Sequence, residues 1–193
     1  MLATYSDVFR PATRPHKTIY NLSLVLAGSL LLTISAHIAI TVPFSPVPVT
    51  AQTFAVLILA MMLGRKLGVA TILAYLTQGM LGLPVFARGL AGPAVLLGPT
   101  GGYLAGFVVA AYVVGALAER GWDRSMGATL LAMLIGNGII YLFGVAWLAV
   151  LVGMPAAISA GLLPFIPGDL IKTLLATLFL PQGWKLINRH YRI

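Results

Sequence analysis

Apolar residues run along this chain in long blocks, and short clusters of Gly, Pro or charge separate one block from the next. Blocks approaching 20 residues have the length that carries an α-helix across a hydrocarbon core of about 30 Å, and the period-2 alternation of a half-buried strand is missing from them. Six crossings follow, at about 19–42, 49–63, 67–83, 98–118, 126–152 and 169–187. The pattern predicts an all-α integral membrane protein in which residues 1–193 form a single membrane domain. The first block is longer than the ~7–15 apolar residues of a signal peptide and has no small-residue cleavage site after it, so it is read as a crossing.

The polar positions then orient the bundle. With six crossings, Arg10, Arg14, Lys17, Arg65, Lys66, Arg120, Arg124, Lys185, Arg189 and Arg192 fall on one side together with both termini, leaving only Arg88 in the opposite loops and Lys172 inside the last block. Positive charge near helix ends resists translocation, so this side and both termini are expected in the cytoplasm of a plasma-membrane protein. Composition agrees: 60% of residues are hydrophobic and 8% charged, against the roughly 25% charged of soluble domains. The net charge of +8 is spread between apolar blocks instead of forming the patch that nucleic-acid binding requires, and nucleic acid is excluded as a partner. Cysteine is absent, which removes disulfides and thiolate chemistry.

The loops opposite the basic side are apolar and rich in Gly and Pro: 41–50, 84–97 and 153–168. Irregular backbone at membrane depth is tolerated only where protein buries it or where it lines a cavity, because lipid cannot satisfy its N–H and C=O groups. Three such loops on one face predict a covered pocket. The second block is short for a full crossing, which places its outer end below the surface.

Asp169 and Lys172 are the most informative pair, since ionisable groups inside a membrane block are costly and share one helix face at i, i+3. Two readings stand: Asp169 caps a helix that starts at Pro167-Gly168 while Lys172 reaches outward to the interface, or the two form a ligand site. Gly98-Pro99-Thr100-Gly101-Gly102-Tyr103 lacks the spacing of a phosphate-cradling loop, leaving a tight helix start or a ligand-facing Tyr103. Thr50 and Gln52 either orient a polar ligand or satisfy nearby backbone, and Arg88 is either a solvated charge or the partner of an anionic ligand. Asn137 and His37 are expected to hydrogen-bond between helices. No nucleophile triad, carboxylate pair or metal-ligand cluster is present, so neither an enzyme, a metal nor a cofactor is predicted.

Taken together, Pro46–Leu57, Gly82–Phe86, Leu97–Phe107 and Phe165–Lys172 resemble the BioY family, the biotin-binding S components of energy-coupling factor (ECF) transporters. The resemblance spans about residues 20 to 187 and implies six helices with outer loops capping a ligand pocket. It implies biotin as ligand, the lipid bilayer as surroundings, and a transmembrane coupling protein with two ATPase subunits as partners. It carries the family's polar pair onto Asp169 and Lys172 and its loop tyrosine onto Tyr103. Phe86, Tyr103 and Phe165 are candidate walls for the ligand's ring, and Thr50, Gln52 and Asn137 are expected as further contacts at the same site. Some members carry Asn where Leu90 stands and Arg where Leu104 stands, which leaves Arg88 as the candidate partner of the biotin carboxylate. A self-sufficient carrier working without ATPase subunits is the alternative function.

Overall fold

A computed structural model describes residues 2–191, and Arg192 of the basic set lies outside the described residues. Helix α1 (Tyr5–Val8) is followed by α2 (Arg14–His37), a two-strand antiparallel pair β1 (Ala39–Ile40) and β2 (Val49–Thr50), and α3 (Gln52–Met80). A short 3₁₀ turn (Ala87–Gly89) and α4 (Ala94–Leu97) lead to α5 (Gly101–Ala118), α6 (Met126–Val152), α7 (Met154–Gly161) and α8 (Ile166–Tyr191). Helices α2, α3, α5 and α6 are each long and apolar enough to cross a membrane, as is the α7–α8 pair, bent by 49°.

Helix α3 is a hairpin that holds two of the expected crossings. Gly64 sits at φ 76°, a left-handed value that costs Gly little and other residues much, and there the helix reverses. Residues 52–63 and 65–80 are its antiparallel arms. The fold-back is visible in Gln52 Nε2, which donates to Tyr75 Oη at 2.8 Å, and in the bare backbone of Gly68, where a Cβ would sit 3.2 Å from Ala60 Cα. Helix α5 packs against the reversal because Gly115 has no side chain: a Cβ there would lie 2.5 Å from the Arg65 nitrogen. With α2, α5, α6 and α8, the two arms make six apolar rods.

Boundaries shift from the sequence reading for local reasons. Helix α2 runs 14–37 instead of 19–42, because Pro15 fits a first helical turn and Ala39–Ile40 extend to pair with Val49–Thr50. The second rod starts at Gln52 rather than 49 for the same reason, and α5 starts at Gly101 rather than 98. Helix α8 starts at Ile166, so Asp169 lies within its first turn rather than ahead of it. His37 bonds the Thr33 carbonyl of its own helix and, among the described residues, not a neighbouring helix.

The two ends of the bundle are closed differently. At the basic end, residues 2–9 fold back over the helix termini. Leu2 N–H donates to Glu119 O, Ser6 Oγ to Leu63 O, and the Tyr5 hydroxyl to Leu180 O. The Tyr5 ring lies 4.7 Å from that of Trp184, whose Nε1–H donates to Asp123 Oδ2 at 2.5 Å, with the Arg124 guanidinium over the same indole. Asp123 is 0% exposed, and its Oδ1 has no partner among the described residues. Burial lifts its carboxyl above the usual carboxylate range, opposed by the Trp184 N–H bond and by Arg124. At the other end the loops tie to one another: Ser45 Oγ donates to Ala160 O, and the Tyr103 hydroxyl to Gly161 O, both in α7.

Candidate functional site

Beneath those loops lies a cavity of about 360 Å³, inside the roughly 300–1,000 Å³ range usual for small-molecule sites. Its walls are mainly apolar and come from all three loops. Phe86 stands edge-on to Tyr75 with ring centroids 5.5 Å apart, and Phe165 stacks near-parallel to Tyr103 at 6.1 Å. Val47 between Pro46 and Pro48 contributes from the first loop. Such surfaces suit a flat or ring-shaped apolar body.

The polar groups on the lining come from few positions. Thr50 enters from β2, Gln52 and Thr53 from the start of α3, Arg88 from the second loop, Thr100 and Tyr103 from the start of α5, and Tyr141 from α6. Trp147 Nε1–H donates to the Gly98 carbonyl at 2.9 Å and so anchors the loop ahead of α5. Of the residues expected at the site, Thr50, Gln52, Phe86, Arg88, Tyr103 and Phe165 all border this cavity. Leu90 and Leu104 border it as well, so Arg88 is the cation on the described lining. Arg88 holds φ 62°, ψ 22°, a left-handed conformation that a β-carbon disfavours, so the backbone is strained at this lining position.

Asp169 and Lys172 are placed differently from the expectation. They do not border the cavity but stand directly behind its wall, in one saturated network. Asp169, 4% exposed, accepts from Thr53 Oγ1 at 2.8 Å and from Lys172 Nζ at 2.8 Å on Oδ1, and from the Tyr141 hydroxyl at 2.5 Å on Oδ2. Lys172 Nζ also donates to Thr50 O at 2.7 Å and to Thr53 Oγ1 at 3.0 Å. Neither the capping nor the outward-reaching reading describes this: the carboxylate turns to two other helices, and the ammonium points into the bundle. An ammonium has three donors, and all three are engaged.

Asn137 lies on the far side of the same wall. Its Nδ2 donates to Thr173 Oγ1 at 3.1 Å, joining α6 to α8, and it borders a lateral cleft of about 210 Å³ between these helices, with Asp169 and Tyr141 but away from the main cavity. Thr53 and Tyr141 were missed in the sequence. The available signal was the pair's need for partners: a buried Asp-Lys pair at i, i+3 leaves lone pairs to satisfy, and a Tyr inside an apolar block is a natural donor.

Comparisons with known proteins converge on one family. The profile described as BioY family matches residues 10–189. The biotin transporter BioY of Thermotoga maritima is 43% identical over 156 residues, 80% of this chain and 91% of that one. The probable biotin transporter BioY of Pyrococcus horikoshii is 41% identical over 156 residues, 81% and 91% of the two chains. Among solved structures, the S-component for biotin from an ECF-type ABC transporter superposes with a TM-score of 0.76 at 26% identity, covering 90% of this chain and 95% of that chain.

Proposed function

The chain belongs to the BioY family, and from that premise we propose that it is the biotin-binding S component of an ECF-type transporter, capturing the vitamin for uptake. The observation that carries the reading is the loop-covered cavity: aromatic walls for a ring body, with a polar floor leaning on the Asp169–Lys172 network. Biotin supplies a fused ring, a ureido group with two N–H donors and one acceptor, and a carboxylate. The ring packs between Phe86 and Phe165, the ureido group meets Thr53 and Tyr141 with Asp169 and Lys172 behind them, and Arg88 receives the carboxylate. Thr50 and Gln52 border the polar end, while Asn137 holds α6 to α8 behind it.

Both termini lie in the cytoplasm, supported by the basic residues collected at the end that residues 2–9 close. The loop-covered end then faces outward. The chain itself catalyses no reaction, and ATP hydrolysis comes from two ATPase subunits joined through a transmembrane coupling protein. The self-sufficient carrier has less in its favour, since the superposed relative is the S-component of an ABC transporter. Titrating the purified protein with labelled biotin tests the ligand: saturable binding that unlabelled biotin displaces is expected, and no binding refutes the reading. Uptake that appears only when coupling subunits are co-expressed tests the partners, and accumulation by this chain alone against a gradient refutes them.

A further inference from the structure

Resting on the reading of the cavity as a biotin site, we propose that Tyr141 selects for a ligand N–H at the polar end of the cavity, acting as an obligatory acceptor. Tyr141 borders the main cavity, whereas Asp169 does not. The Tyr141 hydroxyl has one proton, and that proton is committed to Asp169 Oδ2 at 2.5 Å. An ion-paired carboxylate only accepts, so the direction of this bond is fixed. What Tyr141 has left for the cavity is a lone pair.

Thr53 is held in the same way. Its Oγ1 donates to Asp169 Oδ1 and accepts from Lys172 Nζ, so its proton too is unavailable to a ligand. Asp169 is thus a positioning residue whose charge reaches the cavity through hydroxyl groups that it polarises, and hydrogen bonds in such a chain strengthen one another. A ligand whose head carries N–H at this point gains a bond. One with an oxygen or an N-methyl group there sets two acceptors against each other or clashes, and leaves a buried lone pair unpaired. Tyr141 also borders the cleft between α6 and α8, so the side chain is the partition between the ligand and that cleft.

The test compares biotin with two analogues, each methylated on one of the two ureido nitrogens, in competition against labelled biotin. Wild-type protein is expected to bind one analogue at least roughly tenfold more weakly than the other. Tyr141→Phe, nearly isosteric, should weaken biotin roughly tenfold and remove most of the penalty for that analogue. Tyr141→Gln, whose amide can turn either way, should also lose the discrimination and serves if the Phe variant does not fold. Full discrimination in both variants overturns the inference, as does an equal loss for biotin and both analogues, which a merely structural role produces. Wild-type protein that binds no biotin overturns the functional reading along with it, a result distinct from unchanged discrimination by a biotin-binding variant.

Discussion

Lys172 Nζ lies 2.8 Å from Asp169 Oδ1 and gives its remaining two donors to Thr50 O and Thr53 Oγ1, so the pair ties the first turn of α8 to the start of α3. Breaking a buried pair by removing one partner leaves the other uncompensated, at a cost that reaches about 3–5 kcal/mol in full burial. Lys172 is one-fifth exposed, which lowers that figure.

Asp169→Asn and Lys172→Met are therefore expected to lower thermal stability as well as biotin affinity. The double variant should recover part of the stability while staying weak in binding, because it removes both charges. Thermal unfolding in detergent, run beside biotin titration, checks this. Single variants as stable as the parent and binding as tightly would show that the network does neither job.

Arg88 combines a left-handed backbone with the cation of the described lining. Arg88→Gly should relieve the strain and stabilise the ligand-free protein by up to about 1 kcal/mol, while biotin binds roughly tenfold or more weakly. Biotin methyl ester separates charge from strain: the variant should bind ester and acid alike. A variant that still prefers the acid as strongly as the parent does removes Arg88 from carboxylate recognition.

Gly79 offers a steric probe of the cavity wall, since a Cβ there would sit 2.1 Å from Phe86 Cζ. Gly79→Ala should drive the Phe86 ring toward the cavity, weakening biotin severalfold or more, and Phe86→Ala should partly restore binding in the Gly79→Ala background. Binding left intact by Gly79→Ala would mean that Phe86 does not shape the occupied volume.

Asp123 links stability to pH. Unfolded, it titrates near the ordinary aspartate value of about 3.9, and folded it titrates higher because it is buried. The stabilisation its proton provides is fully present below the unfolded value and is lost as pH rises through the folded one. Asp123→Asn keeps an acceptor for Trp184 and carries no charge, so its melting temperature should vary less with pH across that interval and match or exceed the parent's at pH 7. Melting curves from pH 4 to 8 give the comparison, and a parent-like slope in the variant would count against the buried charge.

Orientation is accessible because the chain has no cysteine. Phe44, 70% exposed on the first loop, should label as Phe44→Cys with an impermeant thiol reagent in intact cells, while Arg120→Cys should be protected. The reverse pattern inverts the proposed topology. Ser45, one residue on, is a poor reporter, because it is buried and bonded to Ala160 O.

The six rods were legible because length and apolarity are local properties, and α6 was placed to the residue where Ser125 caps it and Gly153 breaks the helix at φ 82°. The hairpin at Gly64 was legible as a loop but not as a one-residue reversal, since φ is not written in composition. The loops over a pocket could be read from Gly and Pro where lipid tolerates no irregular backbone. What stayed hidden was pairing across the bundle. The i, i+3 spacing joined Asp169 to Lys172, but nothing in it named Thr53 or Tyr141, which lie 116 and 28 residues from Asp169. Asn137 showed the reverse case: a polar residue in an apolar block that faces the helix behind the site.

The fold of residues 2–9 over the basic end sets an order of events during synthesis. Tyr5 is made well before its acceptor on Leu180, which comes 175 residues later, and before the Trp184 ring it leans on. At about 5–20 residues per second, roughly ten to thirty-five seconds separate the two. Throughout that interval Tyr5 lacks its acceptor, and Asp123, once made, waits a further 61 residues for its indole partner. A chain halted before Leu180 leaves this closure open at Tyr5 and at Asp123 together, so a sealed basic end is the mark of a chain translated through α8.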